Sequence, residues 1–437
     1  MNFGTVTDTP CPPQLVVLGA SGRALAESAT RAGWSVHAAD LFRDLDLEET
    51  AQEAVQALRA PTAGRAGYPW SLSAAAADFP PAAPWCYTGA LENHPDLIEA
   101  ISLTRPLAGN PADVVRRLRD PAAVAAVVRD AGLAFPETLA TADGVPTDGS
   151  WLVKPLAGAG GRGIRRWTPA QPAGEPWHSD AAQPAQVWQR FVSGTPLSAA
   201  FCMQSGTARL CGASRQLIGT EWCHAGRFAW CGGVATDLAA MPSACRRQLD
   251  RLGAALAEWC RPVGMLGVDL VVDESGRVAV IEVNPRPTAS MELFERAGAI
   301  SVAGEHLAAC GLATVAARPR PRPDAMGGVW AKAVLFAPQA TPVDAPLLDA
   351  IRGTARGWSE ADGGWAAVAD IPRPEQVIDT GAPVLTLFAR GLTAAAALAA
   401  LRSRADVVDA LLAAARRGLQ PAIRRGRACP PAAASDT

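Results

Sequence analysis

The segment Arg277-Val-Ala-Val-Ile-Glu-Val-Asn-Pro-Arg-Pro-Thr-Ala-Ser290 sets an acid, an amide and a guanidinium into an otherwise apolar run. Side chains two apart on a strand point the same way, so Glu282 and Asn284 project together. An acid beside an amide offers oxygen ligands suited to a hard cation such as Mg²⁺. Arg286 follows within reach of any anion that cation holds. Upstream, Met265-Leu-Gly-Val-Asp-Leu-Val-Val-Asp273 predicts a second apolar strand carrying Asp269, and Glu274-Ser-Gly-Arg277 predicts the turn between the two. If Asp273 pairs with Val278, antiparallel register sets Asp269 opposite Glu282. Three oxygen donors and an arginine then meet on one sheet face, as a metal–nucleotide site requires. The plainer alternative is a hairpin with a solvated polar face; the cost of burying an unpaired Asp in so apolar a strand argues against it.

A second candidate lies upstream. Val153-Lys154-Pro155 predicts a strand, Gly158-Ala-Gly-Gly-Arg-Gly163 a flexible loop, and Ile164-Arg-Arg-Trp167 a return strand. Gly158, Gly160, Gly161 and Gly163 let backbone N–H groups approach phosphates, and Lys154 adds positive charge. The letters match Gly-x-Gly-x-x-Gly, but a dinucleotide loop needs a helix next, and Ile164-Arg-Arg does not open one. No Gly-Lys-Ser/Thr is present for a Walker loop. A plain surface loop is the alternative.

Together these motifs resemble the ATP-grasp superfamily: a lysine before a glycine hairpin loop, then Gly-Val-Asp and Glu-x-Asn-Pro-Arg on paired strands. The resemblance covers about residues 14–310. It implies ATP with Mg²⁺ (or Mn²⁺) on Asp269, Glu282 and Asn284, and Lys154 on the phosphates. It further implies Arg286 on the moving phosphoryl group. Val187-Trp-Gln-Arg-Phe-Val192 matches the strand leading to the adenine hinge, which nominates Phe191, Val192 and Gln189; for Gln189 an incidental core glutamine stays open. Arg215, in a central strand, is a candidate for substrate carboxylate or phosphoryl, or for a surface pair. The implied activity is a carboxylate–amine ligase working through an acyl phosphate on small-molecule acids and amines. The family allows a homodimer. Glu282 to Ser290 is also similar to ligases of one-carbon cofactor synthesis, such as the tyramine–glutamate ligase of methanofuran-type pathways.

The elements that must position these residues predict an α/β chain with several units. Gln14 to Leu18, Gly19-Ala-Ser-Gly22, a helix to Gly33 and Ser35 to Ala39 form a β-α-β unit of a parallel sheet. This gives a Rossmann-like preATP-grasp domain over 1–110. A connector and glycine-loop subdomain spans 111–195, with a helix opening at Asp120-Pro121. A metal-binding subdomain spans 196–317, with Leu249, Leu252, Leu256 and Trp259 at helical spacing. A linker, Arg318-Pro-Arg-Pro-Arg-Pro323, leads to a small α+β domain over 318–419, and 420–437 reads as a disordered tail. Gly19, Gly22 and Asp40 also admit a nicotinamide-dependent oxidoreductase, and a non-catalytic ATP-binding module is a third reading. Glu92 and His94 read as surface loop more than cleft.

Of 437 residues, 49% are hydrophobic and 19% charged, which suits a globular chain of several domains. A formal net charge of −2 gives no reason to expect nucleic acid or an anionic membrane as partner. No apolar run approaches the roughly 18 residues of a membrane span. No signal segment shows at the N-terminus. The ten cysteines lack a Cys-x-x-Cys pair, so zinc is not expected. Cytoplasmic residence with reduced thiols is the expectation.

Overall fold

The structure is a computed structural model that describes residues 11–57, 67–169, 185–312 and 327–425. The linker 318–323 and most of the expected tail lie outside the described residues.

The first unit is a parallel sheet of β1 (Gln14–Leu18), β2 (Ser35–Asp40), β3 (Glu53–Gln56) and β4 (Trp85–Tyr87), in the order β3-β2-β1-β4. Leu15 to Leu18 are fully buried. Such a continuous apolar run suits a parallel strand covered on both faces. The helix Arg23–Arg31 closes through Ala32, and Gly33 takes the left-handed φ of +94° that ends it. Asp120 caps the helix Pro121–Asp130 by accepting from the N–H groups of Ala122 and Ala123 at 2.9 and 3.3 Å.

The glycine loop belongs to a small antiparallel sheet of β5 (Thr138–Leu139), β6 (Trp151–Pro155), β7 (Arg165–Arg166) and β8 (Gln186–Arg190), ordered β5-β8-β6-β7. Its core is Val145, Trp151, Val153 and Trp188.

The largest sheet has eight strands. It is built from β9 (Thr195–Gln204), β10 (Thr207–Ile218), β11 (Trp230–Thr236), β12 (Gly264–Val272), β13 (Val278–Asn284), β14 (Val329–Phe336), β16 (Val368–Ala369) and β18 (Pro383–Gly391). The two remaining strands, β15 (Thr341–Pro342) and β17 (Val377–Ile378), form a short ribbon. The order β13-β12-β9-β10-β11-β14-β18-β16 carries one sheet across the expected division at residue 318. The C-terminal strands form no separate main sheet; β14 pairs with β11, Val234 opposite Ala331, and one core joins Cys231 and Val234 to Leu335, Leu387 and Leu401. The reason was hidden in β11, whose Gly232-Gly233 does not read as strand. A Cβ on Gly232 would lie 2.0 Å from the Lys332 carbonyl oxygen, so glycine there permits the close pairing.

Helix Ser243–Cys260 packs Leu249, Leu252 and Leu256 onto this sheet, while Trp259 is only partly buried. The last helix, Ala394–Arg425, runs past Gln420 into the stretch expected to be tail. Among the described residues no helix is long and apolar enough to cross a membrane.

Candidate active site

Strands β12 and β13 pair with Asp269 opposite Glu282 and Gly267 opposite Asn284. The register is reached by a different route from the expected one. At the turn Val272, not Asp273, faces Val278, and a β-bulge between Asp269 and Leu270 shifts the ladder by one residue. All three oxygen donors line one cavity of about 450 Å³.

Each donor is held by a neighbour. Asp269 accepts from Gln216 Nε2 at 2.7 Å and from Asn284 Nδ2 at 3.1 Å. Burial, reinforced by the facing Glu282, pushes the Asp269 carboxyl up to about 6. Glu282 is pushed upward by burial too, but Arg119 and Lys154 hold it below the usual carboxylate range. Arg119 pairs with Glu282 directly and also reaches Asn93 Oδ1 at 3.0 Å. Among the described residues no group of three or more His, Cys, Asp or Glu could hold a metal. Two carboxylates and an amide oxygen are nonetheless a donor set that would suit a magnesium ion.

Lys154 Nζ donates to Gln189 Oε1 at 2.9 Å, and Gln189 Nε2 donates to Thr138 Oγ1 at 3.1 Å. Burial lowers the Lys154 ammonium below its ordinary range. Gln189 therefore orients the lysine. A smaller cavity of about 60 Å³ lies beside it, with apolar walls from Leu118, Val124, Phe135, Val187 and Val283. Lys154, Ile281 and Glu282 belong to the walls of both cavities.

The glycine loop is folded over the large cavity, with Gly158, Gly160 and Gly161 in its lining. Trp230 N–H donates to the Gly160 carbonyl at 3.0 Å. Gly161 has φ +77°, and a Cβ there would lie 2.0 Å from the Phe228 carbonyl oxygen. Gly163 packs on Pro155 instead and does not line the cavity.

Four expectations need correction. Arg215 is exposed, and the cavity is lined by its neighbours along β10, Gln216 and Ile218. Phe191 and Val192 line neither cavity. The Phe191 N–H is spent on the Ser150 carbonyl at 2.9 Å, and its ring lies under the Arg166 guanidinium at 3.8 Å. Glu92 is no surface residue: it is 2% exposed and accepts from Arg286 Nη2 at 2.5 Å. Asp40 is fully buried and accepts from the N–H groups of Gly22, Phe42 and Arg43 at 2.8, 3.0 and 2.7 Å, so it cannot serve a nicotinamide ribose.

The same cavity holds residues that sequence reading missed: Arg23, Asp44, Ser198, Gln216 and Lys332. Lys332 had a legible signal, a single charge in the apolar run of β14, the same signal that marked Asp269. Arg119 and Gln216 had none.

Residues 119–290 match the ATP-grasp domain family. The chain carries an ATP-grasp domain and has the fold of ATP-grasp ligases. Carboxyaminoimidazole ribonucleotide synthase from Aspergillus clavatus, solved with ATP, superposes with a TM-score of 0.62 at 12% identity, covering 92% of this chain and 99% of that one. N5-carboxyaminoimidazole ribonucleotide synthetase from Thermotoga maritima gives 0.58 at 11% identity over 90% and 98%. Biotin carboxylase from Campylobacter jejuni gives 0.58 at 13% identity over 86% and 87%. No curated protein matches the sequence.

Proposed function

We propose that this protein is an ATP-dependent ligase that joins a carboxylate to an amine through an acyl phosphate, with release of ADP and phosphate. The observation that carries the reading is the position of Lys154 and Glu282 in the walls of both cavities. A flat base laid against the apolar walls of the smaller, half-open cavity would direct its phosphates past Lys154 toward Glu282 and Asp269. The acceptor then has the large cavity.

Asp269, Glu282 and Asn284 would hold Mg²⁺ or Mn²⁺. An ion held there would supply charge neutralisation to the transferring phosphoryl group. Lys154 binds the phosphates from the opposite side, oriented by Gln189. The acid's carboxylate oxygen attacks the γ-phosphorus as the bond to ADP breaks. The amine nitrogen then attacks the acyl carbon; the carbon–oxygen bond to phosphate breaks, and the nitrogen loses a proton. Arg286, in the cavity wall, would stabilise the oxyanion between these steps. The docked glycine loop keeps water from the acyl phosphate. The likeness of Glu282 to Ser290 to ligases of one-carbon cofactor synthesis nominates amino acids as the first acids to try.

The test is phosphate release from ATP and Mg²⁺ with a panel of acids, bicarbonate included, crossed with a panel of amines. Release is expected only when both partners are present, and Glu282→Gln is expected to lower it at least ~100-fold. Release that ignores either partner, or full turnover in Glu282→Gln, would overturn the reading. Stabilisation by Mg²⁺ and an ATP analogue without turnover would favour a binding module.

A further inference from the structure

The N-terminal wall of the large cavity carries a carboxylate unused by the chemistry above. Asp44 precedes the helix Leu45–Thr50. It is 7% exposed and lines the cavity with Arg23, Phe42 and Asp370. An aspartate in this position ordinarily accepts from the first-turn N–H groups. Asp44 makes no such bond. Among the described residues, none donates a hydrogen bond to its carboxylate or forms an ion pair with it.

The charged groups around it do not supply a partner. Burial, then Asp370, Asp40 and Asp46, push its carboxyl well above the usual range, and Arg23 pulls only weakly against them. Arg23 is engaged elsewhere, on Glu292 at 2.6 Å, on Asp370 at 2.9 and 3.2 Å and on Asp46 at 3.5 Å. Lys332 is held by Glu292 at 2.9 Å. Seven carboxylates against four cations line the cavity among the described residues. Asp269 and Glu282 have a metal to hold; Asp44 has no such use. An unpaired buried carboxylate is costly, and one facing a cavity calls for a cation from outside.

We propose that Asp44 anchors a protonated amino group of the co-substrate, distinct from the nitrogen that attacks the acyl carbon. The word co-substrate rests on the ligase reading. Two observations separate the nitrogens. Asp44 lies before the helix Leu45–Thr50, near Asp370, Asp40 and Asp46, whereas Asp269 lies on β12 opposite Glu282. An attacking nitrogen must also be unprotonated, while Asp44 selects the ammonium form. A cavity of about 450 Å³ accommodates a small molecule with two functional ends. Phe42 and Leu25 in the same wall suit an apolar stem between them. The class is a diamine or a basic amino acid.

The experiment is a thermal melt of the full chain with Mg²⁺ and a non-hydrolysable ATP analogue. Putrescine, cadaverine, L-ornithine and L-lysine are each compared with a counterpart acetylated on the distal amine. At least one free amine should raise Tm, its acetylated form should not, and Asp44→Asn should weaken its binding about tenfold or more, the loss of one charge-assisted contact. The nucleotide-dependent shift in the same melt reports that the variant is folded. If Asp44→Asn does not fold, the free-against-acetylated comparison on the wild type decides. Equal binding of acetylated forms, undiminished binding by Asp44→Asn, or no shift from any free amine overturns the proposal. If the wild type binds these cations yet releases no phosphate with any acid, the ligase reading falls and the Asp44 site stands.

Discussion

Arg23 Nε donates to Asp370 Oδ1 at 2.9 Å although the two residues lie 347 positions apart. The same guanidinium bonds Glu292 Oε1 at 2.6 Å, and Asp46 accepts the backbone N–H groups of Asp370 and Ile371 at 2.8 and 2.9 Å. The first and last units of the chain are thereby clamped against the unit that carries β12 and β13, and the cavity wall is made at their junction. Removing Arg23 takes the guanidinium from the half-buried Asp370 and leaves the buried Glu292 to Lys332 and Arg296. Arg23→Leu should cost about 3–5 kcal/mol, the usual penalty for breaking a buried pair from one side. Urea denaturation measures it; a loss below about 1 kcal/mol would show that the clamp contributes little.

On the proposed ligase reading, Gln189 acts on nucleotide through Lys154, to which it is bonded at 2.9 Å. Gln189→Ala should raise KM for ATP about tenfold, the worth of one charged hydrogen bond, with a smaller effect on kcat. Partial unfolding would instead lower the active fraction and leave KM unchanged.

Two glycines of the lid separate conformation from contact. Gly160 has φ +61° with open space within 4 Å of where a methyl group would sit, whereas Gly161 has φ +77° and a methyl there meets the Phe228 carbonyl oxygen at 2.0 Å. Gly160→Ala should cost only the left-handed penalty, about 1 kcal/mol. Gly161→Ala should also undock the lid, so ATP is hydrolysed without product formation. The ratio of phosphate released to product formed distinguishes them, and equal ratios would rule out lid docking through Gly161.

His306 links three elements: its Nδ1 accepts from Met265 N–H at 2.9 Å, and its Nε2 lies 3.0 Å from the Ala108 carbonyl. Burial lowers it to about 4. In the unfolded chain the imidazole takes its proton near pH 6.5. A group with a depressed folded pKa stabilises above the unfolded value and loses that contribution as pH falls toward the folded one. By linkage the fold loses about 2 kcal/mol between pH 7 and pH 5 from this residue. His306→Asn, which keeps an acceptor but does not titrate, should flatten the stability–pH curve by that amount; an unchanged slope would exclude the assignment.

Arg215 is the control. Its side chain leaves the cavity face, so Arg215→Ala should change phosphate release less than about twofold, within the usual range for exposed substitutions. A large loss would return it to the site.

What the sequence determined about this protein is local. Glu282 and Asn284 share a face because strand side chains alternate, and Asp269 joins them because a short turn returns the chain. Lys154 sits at the glycine loop for the same reason of nearness. The strands β6, β12 and β13 were readable from their apolar runs.

The tertiary structure decided what periodicity cannot carry. A strand has two faces, and each bulge exchanges them; β10 is bulged between Leu210 and Gly212 against β9, so the side on which Arg215 falls depends on a shift no single strand reveals. The partners Arg119 for Glu282, Glu92 for Arg286 and Asp370 for Arg23 come from other units of the chain. Their meeting is set by how those units pack, and the charge left over at Asp44 can be recognised only when every neighbour has been paired in space.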